Sequence, residues 1–152
     1  MIDLKIVNSE LDVGSAMNSV NSPQCGAISI FIGTTREHFN GNKVKTLFYE
    51  AYESMALNQM KSITVLTRQK WPEVVNIAIH HRIGEVKVGE AGVVIAASSP
   101  HRKHAQEAVS FILERLKTTV PIFKKEQYED GSGVWKANEE CAWKSNNNIS
   151  NC

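Results

Sequence analysis

A chain of 152 residues with 42% hydrophobic and 22% charged residues has the size and composition of one folded domain with a buried core. The formal net charge of +1 excludes a polyelectrolyte, so binding of nucleic acid or other anions would require local patches. Three cysteines without a CxxC pair argue against a disulfide framework, and no signal peptide or membrane-spanning stretch is visible, so we expect a cytoplasmic protein.

The first half of the chain alternates short apolar runs with polar breaks. Three strands are predicted from these runs, at residues 2–7, 26–33 and 44–52. The third strand is expected to pair with the second across a polar loop that has its turn at Asn40-Gly41. Two helices are predicted, over residues 9–20 and 53–70. Ser9 and Asp12 form a weak capping box at the start of the first helix.

The second half continues with strands and ends in a hairpin. Strands are predicted at residues 75–83, 92–98 and 122–128, with a turn region at 84–90. The first of them alternates apolar and polar residues, which is typical of a half-buried strand, so His80 and His81 point to opposite faces. The turn sequence EDGSG after Tyr128 predicts that residues 134–137 return as the second arm of a hairpin.

Between these strands lies one amphipathic helix with a marked start and stop. Ser99 is a good N-cap, and Pro100 would then occupy the first helical position, where a missing N–H costs nothing. Pro121 ends the helix because it forces Val120 into an extended conformation. An apolar stripe at helical spacing consists of Ala105, Ala108, Val109, Ile112, Leu113 and Leu116.

The order of these elements predicts an α+β fold with mostly antiparallel sheets and two or three helices. We expect a single domain over residues 1–143. The polar, low-complexity segment 144–152 is predicted to be a disordered tail.

Two lysines flank the end of the central helix. Lys117 lies in its last turn and Lys124 on the following strand, where it shares a face with Glu126. A lysine at the edge of a buried face and near a second lysine loses proton affinity, which makes it usable as a base or nucleophile. The alternative is that both are solvated charges, with Lys117 stabilised by the helix dipole. The pattern alone leaves both interpretations open.

Candidate anion contacts lie at the helix start and after the second strand. His101 and Arg102 stand beside the free N–H groups of the helix N-terminus, and Arg36 follows a buried strand. Each can contact a phosphate or carboxylate, or can be an ordinary surface charge. His101 and His104 are three positions apart, but no carboxylate or cysteine completes a ligand set at standard spacing, so no metal site is predicted.

Five separated motifs together resemble one family. They are FIGTTRE (31–37), YEAY (49–52), HRIGEV (81–86), SSPHR (98–102) and LKTTVPIFKKE (116–126). In this order they resemble the large, catalytic subunit of molybdopterin synthase, and the resemblance covers residues 26–143. It implies an α/β-hammerhead-like fold and an enzyme that needs neither metal nor other cofactor in its pocket.

The resemblance also implies a reaction and an assembly. Such enzymes transfer sulfur from a thiocarboxylated small ubiquitin-like subunit to cyclic pyranopterin monophosphate, which forms the molybdopterin dithiolene. Two large subunits form a dimer within a heterotetramer. By match of motif, Lys117 and Lys124 occupy the two catalytic positions. Four further residues match pocket positions: Arg36, His101, Arg102 and Glu126. The sequence departs from some relatives at Glu139, where they carry a basic residue.

Two other functions compete with this interpretation. A non-catalytic module that binds the C-terminal tail of a ubiquitin-like protein would keep the partner groove and tolerate loss of Lys124. A nucleic-acid-binding protein would use the basic clusters, but the near-neutral net charge speaks against it.

The enzyme interpretation makes a geometric demand of its own. Arg102 and Lys117 are fifteen positions apart, about 22 Å along one helix. We therefore expect His101 and Arg102 to reach the pocket from the second subunit of a dimer.

Overall fold

The computed structural model describes residues 1–137, which form nine strands and three helices and confirm the predicted α+β class. The strands are β1 (Ile2–Val7), β2 (Ala27–Thr34), β3 (His38–Phe39), β4 (Asn42–Ala51), β5 (Asn76–Arg82), β6 (Gly84–Lys87), β7 (Ala91–Ser99), β8 (Ile122–Tyr128) and β9 (Gly133–Ala137). The helices are α1 (Val13–Val20), α2 (Glu53–Lys70) and α3 (Arg102–Thr119). The predicted boundary at residue 143, the predicted tail 144–152 and Glu139 lie outside the described residues.

The first sheet has the strand order β1-β5-β7-β2, with one parallel pair, β1 with β5, and antiparallel pairs elsewhere. Helices α2 and α3 pack on one face, where Ile77, Ile79 and Ile95 form the main core with them. Helix α1 packs on the other face against Ala78 and Val94. Because both faces are covered, β5 is buried along almost its whole length, and the predicted half-buried strand is wrong.

The second sheet has the order β3-β4-β8-β9, and β6 also pairs with β4. The expected pairing of β4 with β2 is wrong, because β2 pairs with β7 and β4 pairs with β8, β6 and β3. The region 84–90, predicted as a turn, contains β6, and the Thr46 hydroxyl of β4 donates to the Val86 carbonyl at 3.1 Å. The predicted turn at Asn40-Gly41 is confirmed, with φ of 49° and 79°.

Two helix starts differ from the predictions. Helix α3 begins at Arg102 with an extended His101 before it, whereas Ser99 is the last residue of β7 and pairs with Ala27. Sheet pairing therefore overrides the capping preference of Ser99, whose hydroxyl donates instead to the His101 carbonyl. In α1 the cap is Asp12, which accepts from the Ser15 N–H at 2.9 Å, so the helix starts later than the predicted capping box required.

A hydrogen-bonded contact between His80 and Asp3 joins β1 to β5 on the face covered by α1. The Nε2 atom of the buried His80 lies 2.8 Å from Oδ2 of Asp3, and the Lys5 ammonium lies 3.3 Å from the same oxygen. Burial alone would raise the pKa of Asp3, but the hydrogen bond and charge of His80, together with Lys5, lower it below its ordinary value. Asp3 therefore prefers the ionised state more strongly in the fold than in the unfolded chain.

This preference predicts a pH-dependent stability. Since the folded-state pKa of Asp3 is the lower one, its ionised form stabilises the fold above about pH 4, and the contribution is lost as the pH falls through the folded-state pKa. Asp3→Asn should lower the free energy of unfolding at pH 7 by about 1–2 kcal/mol, and the deficit should shrink at pH 3. Urea denaturation at both pH values measures this, with the exposed Glu10→Gln as control. An equal deficit at both pH values would contradict the assignment.

Candidate active site

A cavity of about 250 Å³ lies where the end of α3 meets strands of both sheets. It is lined by Phe31, Gly33, Thr34, Tyr49, His81, Val93, Leu113, Leu116, Lys117, Val120, Ile122 and Lys124. Because one water occupies about 30 Å³ of liquid, the cavity has room for a small ligand or the end of a peptide. Its wall combines apolar side chains with two lysines, a histidine and a tyrosine, the mixture typical of a ligand site.

The two predicted lysines come together at this cavity through local chain geometry. Lys117 lies in the last turn of α3, and the extended Val120 before Pro121 ends the helix as predicted. The chain then enters β8, where Lys124 lies opposite Tyr49 of β4. Both lysines line the cavity, so two cationic groups from consecutive elements face one small space.

Glu126 lies behind Lys124 and is its acidic partner. Its side chain is buried, with Oε1 at 3.9 Å from the Lys124 ammonium, and Oε2 accepts a hydrogen bond from the Tyr128 hydroxyl. These three residues share one face of β8, as the alternation of the strand predicted. A buried carboxylate needs such partners, because an unpaired charge in the interior is costly. Glu126 can therefore hold Lys124 in position.

Arg36 lies beside the cavity rather than in its wall. Its guanidinium carbon is 5.7 Å from the centre of the Phe39 ring, and the Lys124 ammonium is 5.8 Å from the same ring. The two cations thus share one aromatic ring contributed by the short hairpin strand β3. The guanidinium of Arg36 is thus near Lys124, and because it is exposed it can meet an anion.

His101 and Arg102 lie elsewhere. Both are exposed at the N-terminal end of α3, and neither lines the cavity. Lys117 lies at the opposite end of this 18-residue helix. Within one chain, the structure therefore brings Lys117 and Lys124 together at one cavity, with Arg36 linked to Lys124 through the Phe39 ring. The predicted contacts of the helix start lie apart from them.

Sequence reasoning did not select His81, which lines the cavity. Its ring is buried, and Nδ1 lies 2.8 Å from the Arg82 carbonyl oxygen, an atom that can only accept, so Nδ1 carries the proton. Burial lowers the pKa of His81 to about 4, although the hydrogen bond to Arg82 acts in the opposite direction. His81 is therefore a neutral imidazole at physiological pH. The signal available in the sequence was its place in the HRIGEV motif.

Tyr49 is the second cavity residue that sequence reasoning did not select. Its ring packs edge-to-face against His81, with 5.1 Å between the ring centres. Burial, and secondarily the nearby charge of Glu126, raise the pKa of Tyr49, so the phenol keeps its proton. Its signal in the sequence was the YEAY motif.

Within residues 1–137, no group of three or more histidine, cysteine, aspartate or glutamate side chains is arranged to hold a metal ion. No helix in that part of the chain is both long and apolar enough to cross a membrane. The polar residues that line the cavity are Thr34, Tyr49, His81, Lys117 and Lys124.

Comparisons with a family model, with related sequences and with solved structures all indicate the same protein family. The family model described as MoaE protein matches residues 6–119. The chain is 53% identical over 142 residues to molybdopterin synthase catalytic subunit 1 of Aedes aegypti, and the match covers 92% of each protein. It is 54% identical over 140 residues to the molybdopterin synthase catalytic subunit of Taeniopygia guttata, covering 92% and 90% of the two. Its fold is similar to a crystal structure of molybdopterin synthase from Staphylococcus aureus, with a TM-score of 0.82 and 37% identity over 86% of this chain and 94% of that one.

Proposed function

The chain belongs to the MoaE protein family of molybdopterin synthase catalytic subunits, and we propose that it is a sulfurtransferase acting on cyclic pyranopterin monophosphate. In this proposal the sulfur comes from the thiocarboxylated C-terminus of a small ubiquitin-like subunit, and the product is the dithiolene of molybdopterin. The observation that carries the proposal is the small cavity lined by both Lys117 and Lys124, with the buried Glu126 behind Lys124.

The chemistry of a thiocarboxylate explains why two lysines are useful. Its sulfur forms a bond to a carbon of the pterin side chain while a bond from that carbon to oxygen breaks, and the oxygen leaves with a proton. The two molecules are then joined through a thioester, and two such transfers, one from each of two carriers, supply the two sulfurs of the dithiolene. Water then adds to the thioester carbonyl, and collapse of the tetrahedral oxyanion releases the carrier as a carboxylate and leaves the sulfur on the pterin. An ammonium group stabilises the oxyanion, and a lysine that exchanges its proton serves as general acid and base.

We assign these roles according to position. Lys117, at the helix end, is proposed to lie closest to the carrier's terminal carbonyl. Lys124, held against Glu126 at 3.9 Å, is proposed as the general acid and base for the pterin side chain. Arg36 is proposed to contact the substrate phosphate at the cavity mouth, where it shares the Phe39 ring with Lys124.

The assembly is part of the proposal. The flexible tail of the small subunit would enter the cavity as an extended peptide. Two catalytic subunits would form the centre of a heterotetramer, in which His101 and Arg102 of one reach the cavity of the other. A reducing cytoplasmic location, predicted from the cysteines, suits a reaction whose sulfur donor and product are both readily oxidised.

The decisive experiment combines the purified chain with thiocarboxylated small subunit and cyclic pyranopterin monophosphate. We expect formation of the dithiolene, measured by conversion of the product to a fluorescent oxidised derivative, and release of the small subunit with an ordinary carboxylate. Binding of the small subunit without any product would instead identify a non-catalytic module that captures ubiquitin-like tails.

Glu126→Gln should change the pH dependence of this reaction more than the binding of its partners. The substitution removes the carboxylate whose Oε1 lies 3.9 Å from the Lys124 ammonium and keeps the shape of the side chain, so the pH–rate profile should change. It also removes the secondary cause of the raised Tyr49 pKa, so Tyr49 should titrate at lower pH, although burial persists. Turnover profiles and tyrosine NMR titrations measure the two effects. A turnover profile identical to that of the wild type would remove Glu126 from the mechanism.

A further inference from the structure

The cavity wall also contains uncharged polar groups to which the roles of the two lysines give no function. The first of these groups is His81. Its Nδ1–H donates to the Arg82 carbonyl, which leaves Nε2 as a pure acceptor. Within residues 1–137, Nε2 of His81 has no hydrogen-bond partner. The fully enclosed side-chain polar atoms without a partner in that part of the chain are Arg82 Nε and Ser98 Oγ, so His81 Nε2 is not fully enclosed. Since the ring borders the cavity, Nε2 is open to a ligand there.

Tyr49 is the second such group. In the described part of the chain its hydroxyl has no hydrogen-bond partner, and it is not a fully enclosed atom either. Its ring lies against β7 at Gly92, where an added Cβ would be 3.3 Å from Cε2 and 3.6 Å from the hydroxyl oxygen. Together with the edge-to-face contact to His81, this packing fixes the phenol beside the imidazole.

The two side chains therefore present to one cavity a hydroxyl that can donate and a ring nitrogen that can only accept, on rings whose centres are 5.1 Å apart. We propose that the Tyr49 hydroxyl and His81 Nε2 together bind an amide edge of the cavity's occupant, the hydroxyl donating to its carbonyl and Nε2 accepting from its N–H. Lysines alone could not select such an edge, because ammonium groups only donate. The pair would fix the orientation of the bound molecule while the lysines act on its reacting atoms.

This inference rests on the proposed function, which offers two sources of an amide edge. One is the ring lactam of the pterin substrate, and the other is the N–H and carbonyl of one residue in the extended C-terminus of the small subunit, which point to the same side of the chain. Both present a carbonyl and an N–H to the same wall. Separate binding measurements can distinguish them, because each ligand can be offered alone.

The test uses two conservative variants. Tyr49→Phe keeps the ring and removes the donor, whereas His81→Asn keeps an N–H that can reach the Arg82 carbonyl and removes the distal acceptor. The matched controls are Tyr52→Phe, an exposed tyrosine outside the cavity, and His80→Asn, a buried histidine on the opposite face of β5. Thermal unfolding of all four variants establishes that they are folded at the assay temperature.

Calorimetry with cyclic pyranopterin monophosphate alone, and with the carboxylate form of the small subunit alone, gives the readout. We expect Tyr49→Phe and His81→Asn each to weaken the affinity for one of the two ligands about threefold to tenfold, the value of one neutral hydrogen bond. The ligand that is affected identifies the source of the amide edge, and the controls should bind like the wild type. Unchanged affinities for both ligands in folded variants would overturn the inference, whereas a wild-type chain that binds neither ligand would refute the proposed function itself.

Discussion

Lys117→Ala and Lys124→Ala should each reduce dithiolene formation by about 10²–10³-fold, the usual cost of losing a group that stabilises or protonates a transition state. Both side chains line the same cavity, and neither is part of the buried hydrophobic core. We therefore expect the fold and the binding of the small subunit to persist in both variants. The loss should appear in turnover rather than in affinity.

Lys125→Ala is the matched control for these two variants. Lys125 is the neighbour of Lys124 on β8, but it points to the other face of the strand, where its ammonium lies 5.8 Å from the centre of the Trp135 ring. Its removal eliminates the same charge from the same strand and should leave turnover near that of the wild type. Near-normal turnover in Lys124→Ala would favour the non-catalytic tail-binding module.

Local sequence signals were sufficient to predict that the two lysines approach one another. Pro121 ends α3 shortly after Lys117, and the alternation of β8 then places Lys124 and Glu126 on one face. Each step depends only on residues within a few positions along the chain. The lysine pair could therefore be predicted from local rules of helix termination and strand alternation.

The contacts that could not be predicted from the sequence depend on pairing between segments that are distant along the chain. Tyr49 meets His81 because β4 joins the second sheet and packs near β5, whereas the local pattern favoured pairing of β4 with β2. Ser99 has the chemistry of a helix cap, but its pairing with Ala27 keeps it in β7. In both cases tertiary contacts override a local preference, and a single sequence contains no direct record of such contacts.

The second large expected effect is a restoration of activity. It follows from the position of Arg102 and Lys117 at opposite ends of α3. If the helix start of one subunit completes the cavity of the other, Arg102→Ala and Lys117→Ala inactivate the same pocket from different chains. In a heterodimer of the two variants, one pocket carries both lesions and the other carries neither. Two different affinity tags allow this heterodimer to be purified away from both homodimers. Its turnover should recover to about half that of the wild-type dimer, although each parent is nearly inactive.

The control for this complementation is a heterodimer of Lys117→Ala and Lys124→Ala. Both lysines line the cavity of their own chain, so each pocket of this heterodimer retains one lesion and should remain inactive. Recovery in the Arg102 pair but not in the lysine pair would require a pocket assembled across a two-fold interface. If the purified Arg102 and Lys117 heterodimer stays as inactive as its parents, the pocket is built within one chain. Arg102, exposed at the far end of α3, would then have to act from outside the cavity.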